Sequence, residues 1–287
     1  LIHGKTQWSG EKNIMSKSSK YILACGCSYT DLNFKSQYYP DLDCSFNKWP
    51  TILGDYLELP VKNLARSGVD NEYIFKNTIE DIILHHKNIE LVVIGWTEWH
   101  RFNVYGTHFH NPASYIRRRH SENGQFANDW MHNCNDYYEY LFKDIGKKSP
   151  SSDRNIVKAG LENMFNRMFL IQELCNTFNI KHIQMSLSGS VNRWYSHYAK
   201  ILEEDFQWSP HNETFEAIMH CKSFLEVDGN HVIGWPLLQA LKGFEYNVSP
   251  GARDPGFIIS SEDPHPNNEG HKKIAKYFIE KYKEIYL

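Results

Sequence analysis

The chain holds no run of about 18 apolar residues, so no segment reads as a membrane-spanning helix. It also lacks an excess of basic charge: 31 Lys and Arg stand against 34 Asp and Glu, a formal net charge of −3. A general electrostatic grip on nucleic acid is therefore not expected. The run Arg117, Arg118, Arg119 reads as a solvated face before it reads as an anion site. The six cysteines (Cys25, Cys27, Cys44, Cys134, Cys175 and Cys221) contain no CxxC pair. Cys25 and Cys27 bracket a glycine, which is poor disulfide geometry, so free thiols in a reducing compartment and no cysteine metal centre are expected. There is no GxGxxG and no P-loop, which removes the usual cradles for nucleotide phosphates. Repeats and low-complexity tracts are missing. The first 15 residues carry no apolar core of a secretion signal, so a cytoplasmic location is expected. Met15 opens MSKSSKYILACGCSYT in the manner of a natural start, and residues 1–19 are expected to be a leader or disordered N-terminal segment.

What is present is ordinary globular composition, 41% apolar and 23% charged, over 287 residues, enough for a sizeable core. Residues 20–25 (KYILAC) form a short apolar run that ends at Gly26, as a buried strand feeding a tight turn does. Pro50 sits where a first helical turn would start, followed by Ile52, Leu53, Tyr56 and Leu57 at helical spacing. Further strands are expected at 61–64, 90–95, 180–187 and 257–260. Helices are expected over 71–86, over 154–178 and from Asn268 onward, each with one apolar face. Strands separated by helices imply crossovers and a mainly parallel sheet of five strands. Residues 97–150 and 188–256 break that rhythm and read as two insertions at the carboxyl ends of the third and fourth strands, where open α/β sheets bind ligands.

Two segments carry chemistry. In ACGCSYTD, residues 24–31, a serine after a strand and a glycine turn can present its hydroxyl at the sheet edge, with its own N–H aimed at an oxyanion. The plain alternative is a strand-end turn in which Ser28 caps the next segment. In EDPHPNNEGHKKIA, residues 262–275, a histidine between two prolines comes after two acids and precedes a helix. An acid two or three residues before His265 can fix the imidazole tautomer. The plain alternative is an acidic turn with Asn267 or Asn268 capping the last helix. A nucleophile after the first strand and an acid–histidine pair before the last helix is one chain order of a Ser–His–Asp triad.

On those residues the chain resembles the SGNH (GDSL-like) hydrolase superfamily, in block order over about residues 20–285. The family's GDSxT block is Gly26-Cys27-Ser28-Tyr29-Thr30 here, with Cys27 in place of Asp. NLARSGVDN resembles the second block and puts its oxyanion-facing glycine at Gly68. Asn71, three residues on, either aims an amide into the site or caps the next helix. The GxND block is Gly95-Trp96-Thr97-Glu98, so Thr97 stands where the family has its oxyanion Asn. In the DxxHP block His265-Pro266 match. Asp263 is the favoured acid and Glu262 the alternative.

The resemblance implies a flavodoxin-like three-layer α/β/α sandwich over residues 20–287. It implies an ester hydrolase with Ser28 as nucleophile, His265 as base and Asp263 as acid. The oxyanion donors would come from Ser28, Gly68, Thr97 and Asn71, with no cofactor and no metal. Insertions rich in Trp, Tyr and His favour a glycan ester such as an O-acetyl sugar over a lipid. The GCSYT and GWTE variants resemble SGNH-like proteins of bacteriophages. A weak or inactive relative that binds glycan or serves in a virion is therefore the alternative, and homo-oligomer or virion assembly stays open. Among remaining features, His85-His86 reads as a helix end, and His108-x-His110 has strand spacing more than zinc spacing. His271 reads as surface or as support to the site. Trp96, Trp99, Trp194, Tyr195, Trp208 and Trp235 read as packing or as a sugar-stacking platform. Glu98 and Arg101 come after the third strand.

Overall fold

The computed structural model describes residues 20–97, 103–104, 107–108, 154–186, 226–233, 256–260, 263 and 265–287. It is an α/β fold with a five-stranded, all-parallel sheet flanked by helices. In chain order the elements are β1 (Tyr21–Gly26), α1 (Trp49–Leu57), β2 (Val61–Asn63), α2 (Asn71–His85), β3 (Ile89–Trp96), β4 (Asn103–Val104), β5 (Thr107–His108), α3 (Arg154–Phe178), β6 (Lys181–Ser186), β7 (Val232–Ile233) and α4 (Asn268–Tyr286). The sheet runs β2-β1-β3-β6-β7. Counted along the sheet strands alone this is the 2-1-3-4-5 order of the flavodoxin-like fold. Its topological switch point, the crevice where such folds bind ligands, lies between the carboxyl ends of the first and third strands.

The layers arise from the pleat. Every residue of β1 is buried, as in a strand covered on both faces. Tyr21, Leu23 and Cys25 join Val92, Ile94 and Trp96 of β3 in one core with Ile74 and Ile82 of α2 and Phe165, Met168 and Ile171 of α3. Ile22 and Ala24 point the other way. With Leu91, Val93, Ile183 and Met185 they pack on Trp49 and Leu53 of α1 and on Ile274, Phe278 and Tyr282 of α4. On that face the rings of Trp49 and Phe278 stack at 4.3 Å.

Two sequence expectations need correction. The run at 257–260 is not the fifth strand. It makes a single antiparallel bridge, Ile258 to Pro266, and backs the segment that carries His265. An apolar run ahead of a turn looks like a strand whether or not a sheet edge is free to take it. The fifth strand is Val232–Ile233, which pairs with Gln184 and Met185 of β6 inside the stretch read as the second insertion. In the first insertion β4 and β5 pair antiparallel. Of the two insertions, residues 97, 103–104, 107–108, 226–233 and 256 are described; the others, with Arg117–Arg119, Trp99, Trp194, Tyr195, Trp208 and Trp235 among them, lie outside the described residues, as do residues 1–19. Cys25, Cys27, Cys44 and Cys175 are free and buried. No helix among the described residues is long and apolar enough to cross a membrane.

Candidate active site

The turn that carries Ser28 is built from glycine and threonine together. After β1 the Cys27 carbonyl accepts from the N–H groups of Thr30 at 2.9 Å and Asp31 at 3.0 Å, which coils the chain back on itself. A Cβ on Gly26 would fall 2.2 Å from Thr30 Oγ1, so the turn closes only because residue 26 has no side chain. Ser28 stands on this turn at 6% exposure.

A second turn lies beside it. Beyond β2 the Leu64 N–H donates to the Ala24 carbonyl at 2.8 Å and the Arg66 N–H to the Gly26 carbonyl at 3.2 Å, so the chain runs alongside the end of β1. Asp31 locks the two turns. Its Oδ2 accepts from the Ser67 N–H at 2.8 Å and the Ser67 hydroxyl at 2.6 Å, and its Oδ1 accepts from the Asn33 N–H at 2.9 Å. Gly68 comes next with φ 81, a left-handed conformation that glycine adopts without steric penalty. Among the described residues neither the Ser28 nor the Gly68 backbone N–H donates to a protein acceptor.

The histidine arrives from the other end of the chain. The Ile259 N–H donates to the His265 carbonyl at 2.9 Å, the Asn267 N–H to the Phe257 carbonyl at 3.2 Å, and the Ser260 N–H to the Asp263 carbonyl at 3.1 Å. Asn267 caps α4 by accepting from the Gly270 N–H at 3.0 Å, while its Nδ2 donates to the Ile258 carbonyl at 3.0 Å. Gly270 is needed because a Cβ there would meet the Phe257 carbonyl oxygen at 2.2 Å. The capping turn and the acid–histidine segment are thus one unit, so both sequence readings of these residues describe the same structure.

This unit sets His265 Nε2 2.9 Å from Ser28 Oγ, across 237 residues of sequence. On its other side His265 Nδ1 lies 2.5 Å from Asp263 Oδ1, which also accepts from the His265 backbone N–H at 3.2 Å. Asp263 is fully buried. Burial pushes its carboxyl up, but hydrogen bonds from His265 and Ser36 outweigh that and hold it below the usual carboxylate range. The imidazole is flanked by Phe34 at 4.4 Å and Tyr29 at 5.2 Å between ring centroids. Glu262, the alternative acid, lies outside the described residues.

Asn71 and Thr97 are brought together, and their contact is through the Thr97 backbone. Asn71 Oδ1 accepts from the Thr97 N–H at 2.9 Å and Asn71 Nδ2 donates to the Thr97 carbonyl at 3.2 Å, which pins the end of β3 to the start of α2. The cap of α2 is Asp70, which accepts from the Tyr73 N–H at 2.8 Å; Asn71 does not play that part. The Thr97 hydroxyl is buried and has no hydrogen-bond partner among the described residues, so its donor is unspent.

Sequence reasoning missed two supports, Ser36 and Asp31, and left a third, His271, open between surface and support to the site. Ser36 donates its hydroxyl to Asp263 Oδ2 and accepts from the Tyr39 N–H at 3.0 Å. Asp31 joins the two turns as described. His271 is buried rather than on the surface, and its Nδ1 accepts from the Trp49 N–H at the start of α1 at 3.3 Å. Burial, with smaller contributions from Lys48 and His265, pulls its pKa down to about 3. None of the three carries a local sequence signature, because each acts on a partner far along the chain. Among the described residues no three His, Cys, Asp or Glu side chains converge as metal ligands would.

No family model matches the sequence. No curated protein matches it either. Among solved structures the fold is similar to LAE5, an alpha/beta hydrolase enzyme from the metagenome of Lake Arreo, Spain. The two share 11% of residues at a TM-score of 0.39, over 94% of this chain and 98% of that one. That likeness bears on neither the residues nor the chemistry of the site.

Proposed function

We propose that the protein is a serine acyl hydrolase of the SGNH type. The observation that carries this reading is the unbroken line Ser28 Oγ, His265, Asp263 at the carboxyl edge of the sheet, with the ring nitrogens 2.9 and 2.5 Å from their partners. In this reading Asp263 holds the proton of His265 on Nδ1, leaving Nε2 to take the Ser28 proton as Ser28 Oγ attacks the ester carbonyl. The unpartnered N–H groups of Ser28 and Gly68 receive the oxyanion, with Thr97 as a third donor held in place by Asn71. His265 then protonates the leaving alcohol, and water releases the acyl group by the same steps. The chemistry needs no cofactor. For a substrate we favour an O-acetylated sugar, on the Trp, Tyr and His content of the two insertions.

The test is hydrolysis of p-nitrophenyl acetate and of acetylated sugars, with fluorophosphonate labelling of Ser28. Wild type should turn over and label. Ser28→Ala should do neither while its circular dichroism stays unchanged. Thr97 in the place of the family Asn favours a second reading, a relative that binds glycan or serves in a virion without catalysis. Equal behaviour of wild type and Ser28→Ala would select it.

A further inference from the structure

The Asp263 carboxylate divides its two oxygens between two different segments. Oδ1 faces the His265 ring and backbone N–H. Oδ2 faces the Ser36 hydroxyl, 227 residues away in sequence. The direction of that second hydrogen bond is fixed by its surroundings. Ser36 Oγ already accepts from the Tyr39 N–H, and an ionised carboxylate can only accept, so the hydroxyl proton must lie on the line to Asp263. Both residues are sealed from solvent, Ser36 at 4% and Asp263 at 0% exposure, where a charge-assisted hydrogen bond is strong and its loss leaves a buried oxygen unpaired. Ser36 and Phe34, which packs on the imidazole, belong to the same excursion between β1 and α1, so one segment holds both members of the pair.

We propose that Ser36 is a positioning residue for the Ser28–His265–Asp263 line: its hydroxyl selects the carboxylate oxygen that meets the imidazole and tempers the charge that Asp263 presents to it. This rests on the hydrolase reading above. Without the Ser36 proton the carboxylate charge is less neutralised, so the Asp263–His265 pair holds its catalytic proton to higher pH. The titratable groups facing the pair are Tyr29 from the nucleophile turn and His271 from α4, with Lys48 at the start of α1 acting on His271. None of these changes when residue 36 does.

The experiment compares wild type, Ser36→Ala and Ser36→Thr by steady-state kinetics across pH, with thermal melting of each. Ser36→Ala should lower kcat by about tenfold, the weight of one hydrogen bond to a charged group, with KM unchanged. The acid limb of kcat/KM should move to higher pH, and Ser36→Thr, which keeps the hydroxyl, should move it back. An unchanged kcat and pH profile in Ser36→Ala overturns the proposal. A lower melting temperature with the acid limb in place also overturns it, by assigning Ser36 a structural role alone. If wild type hydrolyses no ester, the hydrolase reading fails on its own, and imidazole nitrogen NMR still reads the pair: an upward move of its titration in Ser36→Ala supports the Ser36 contact, and no move refutes it.

Discussion

Asp31 and Ser67 are joined by two hydrogen bonds to one carboxylate oxygen, at 2.8 and 2.6 Å, and this contact ties the turn that carries Ser28 to the turn that carries Gly68. In the proposed hydrolase reading the two backbone N–H groups that would receive the oxyanion stand on these separate turns, so their mutual placement depends on the tie. Asp31→Ala leaves three donors, the Ser67 N–H and hydroxyl and the Asn33 N–H, without their acceptor. It is expected to cost about 1–3 kcal/mol of stability in urea unfolding. It is also expected to lower kcat/KM for p-nitrophenyl acetate more than tenfold, a loss of the kind seen when an oxyanion donor is misplaced. Ser67→Ala, which removes the hydroxyl and keeps the N–H, should show a smaller loss of both. Full activity in a folded Asp31→Ala protein would mean that the turns hold their places independently.

Gly26 and Thr30 interlock, with Thr30 filling the space a side chain at 26 would need. A Cβ at 26 would sit 2.2 Å from Thr30 Oγ1, 2.7 Å from Thr30 Cβ and 3.0 Å from the Gly95 carbonyl oxygen. Thr30 is fully buried, so it has no open space to move into. Gly26→Ala should therefore destabilise by about 1–3 kcal/mol, as overpacking does. Combining it with Thr30→Ala removes the nearest atom but keeps the next one, so the double variant should recover part of the loss, with a coupling of about 0.5 kcal/mol or more in a double-mutant cycle. Additive losses would show that the two residues do not share one space.

Thr97 carries a buried hydroxyl with no partner among the described residues, an arrangement that costs stability and that a binding site can put to use. Thr97→Val keeps the shape and removes the unsatisfied group. It is expected to raise stability by about 1 kcal/mol. If the hydroxyl receives the oxyanion, the same change lowers kcat, by up to about 10²–10³ for a full donor. Opposite movement of melting temperature and kcat is the expected result. An unchanged kcat would leave the oxyanion to the Ser28 and Gly68 N–H groups. Because Asn71 grips the Thr97 backbone at both its N–H and its carbonyl, Asn71→Ala should lower activity and stability together.

The sequence made the frame readable wherever burial or amphipathicity is continuous. YILACG is buried on both faces and so looks like the strand it is, and the apolar stripe from Arg154 to Phe178 is long enough to exclude anything but a helix. Val232–Ile233 is two residues long and pairs only because β6 leaves an edge open, which no local pattern reports. The FIIS run misled for the converse reason: it is apolar enough for a strand, but its partner is Pro266 and not a sheet. In the site, Ser28 and His265 stand out in the sequence because Gly26 precedes the one and two prolines flank the other. Asp31, Ser36 and His271 stand in no such pattern. Their meaning comes from Ser67, Asp263 and Trp49, which the chain reaches only after folding.

His271 is expected to make the contact between α4 and the start of α1 sensitive to acid. Its Nδ1 accepts from the Trp49 N–H, so protonation there would break the hydrogen bond that starts α1 and bury a charge beside Lys48. Burial, then Lys48 and His265, hold its pKa at about 3, and burial with the stacked His231 ring holds that of His182 at about 4. In the unfolded chain both titrate near 6.5. Between those values the unfolded state binds protons that the folded state refuses, so stability is full above about pH 6.5 and falls as pH drops toward 4 and then 3. Each pKa unit of depression corresponds to about 1.4 kcal/mol, discounted for the relaxation of a real interior. Denaturant midpoints should hold level from pH 7.5 to about pH 6.5 and fall from there to pH 4. His271→Gln, which keeps an acceptor for the Trp49 N–H but has no proton to gain, should be less stable at pH 7.5 if packing suffers, yet should lose less between pH 6.5 and pH 4 than wild type does. An equal slope in the two proteins would remove His271 from the acid response.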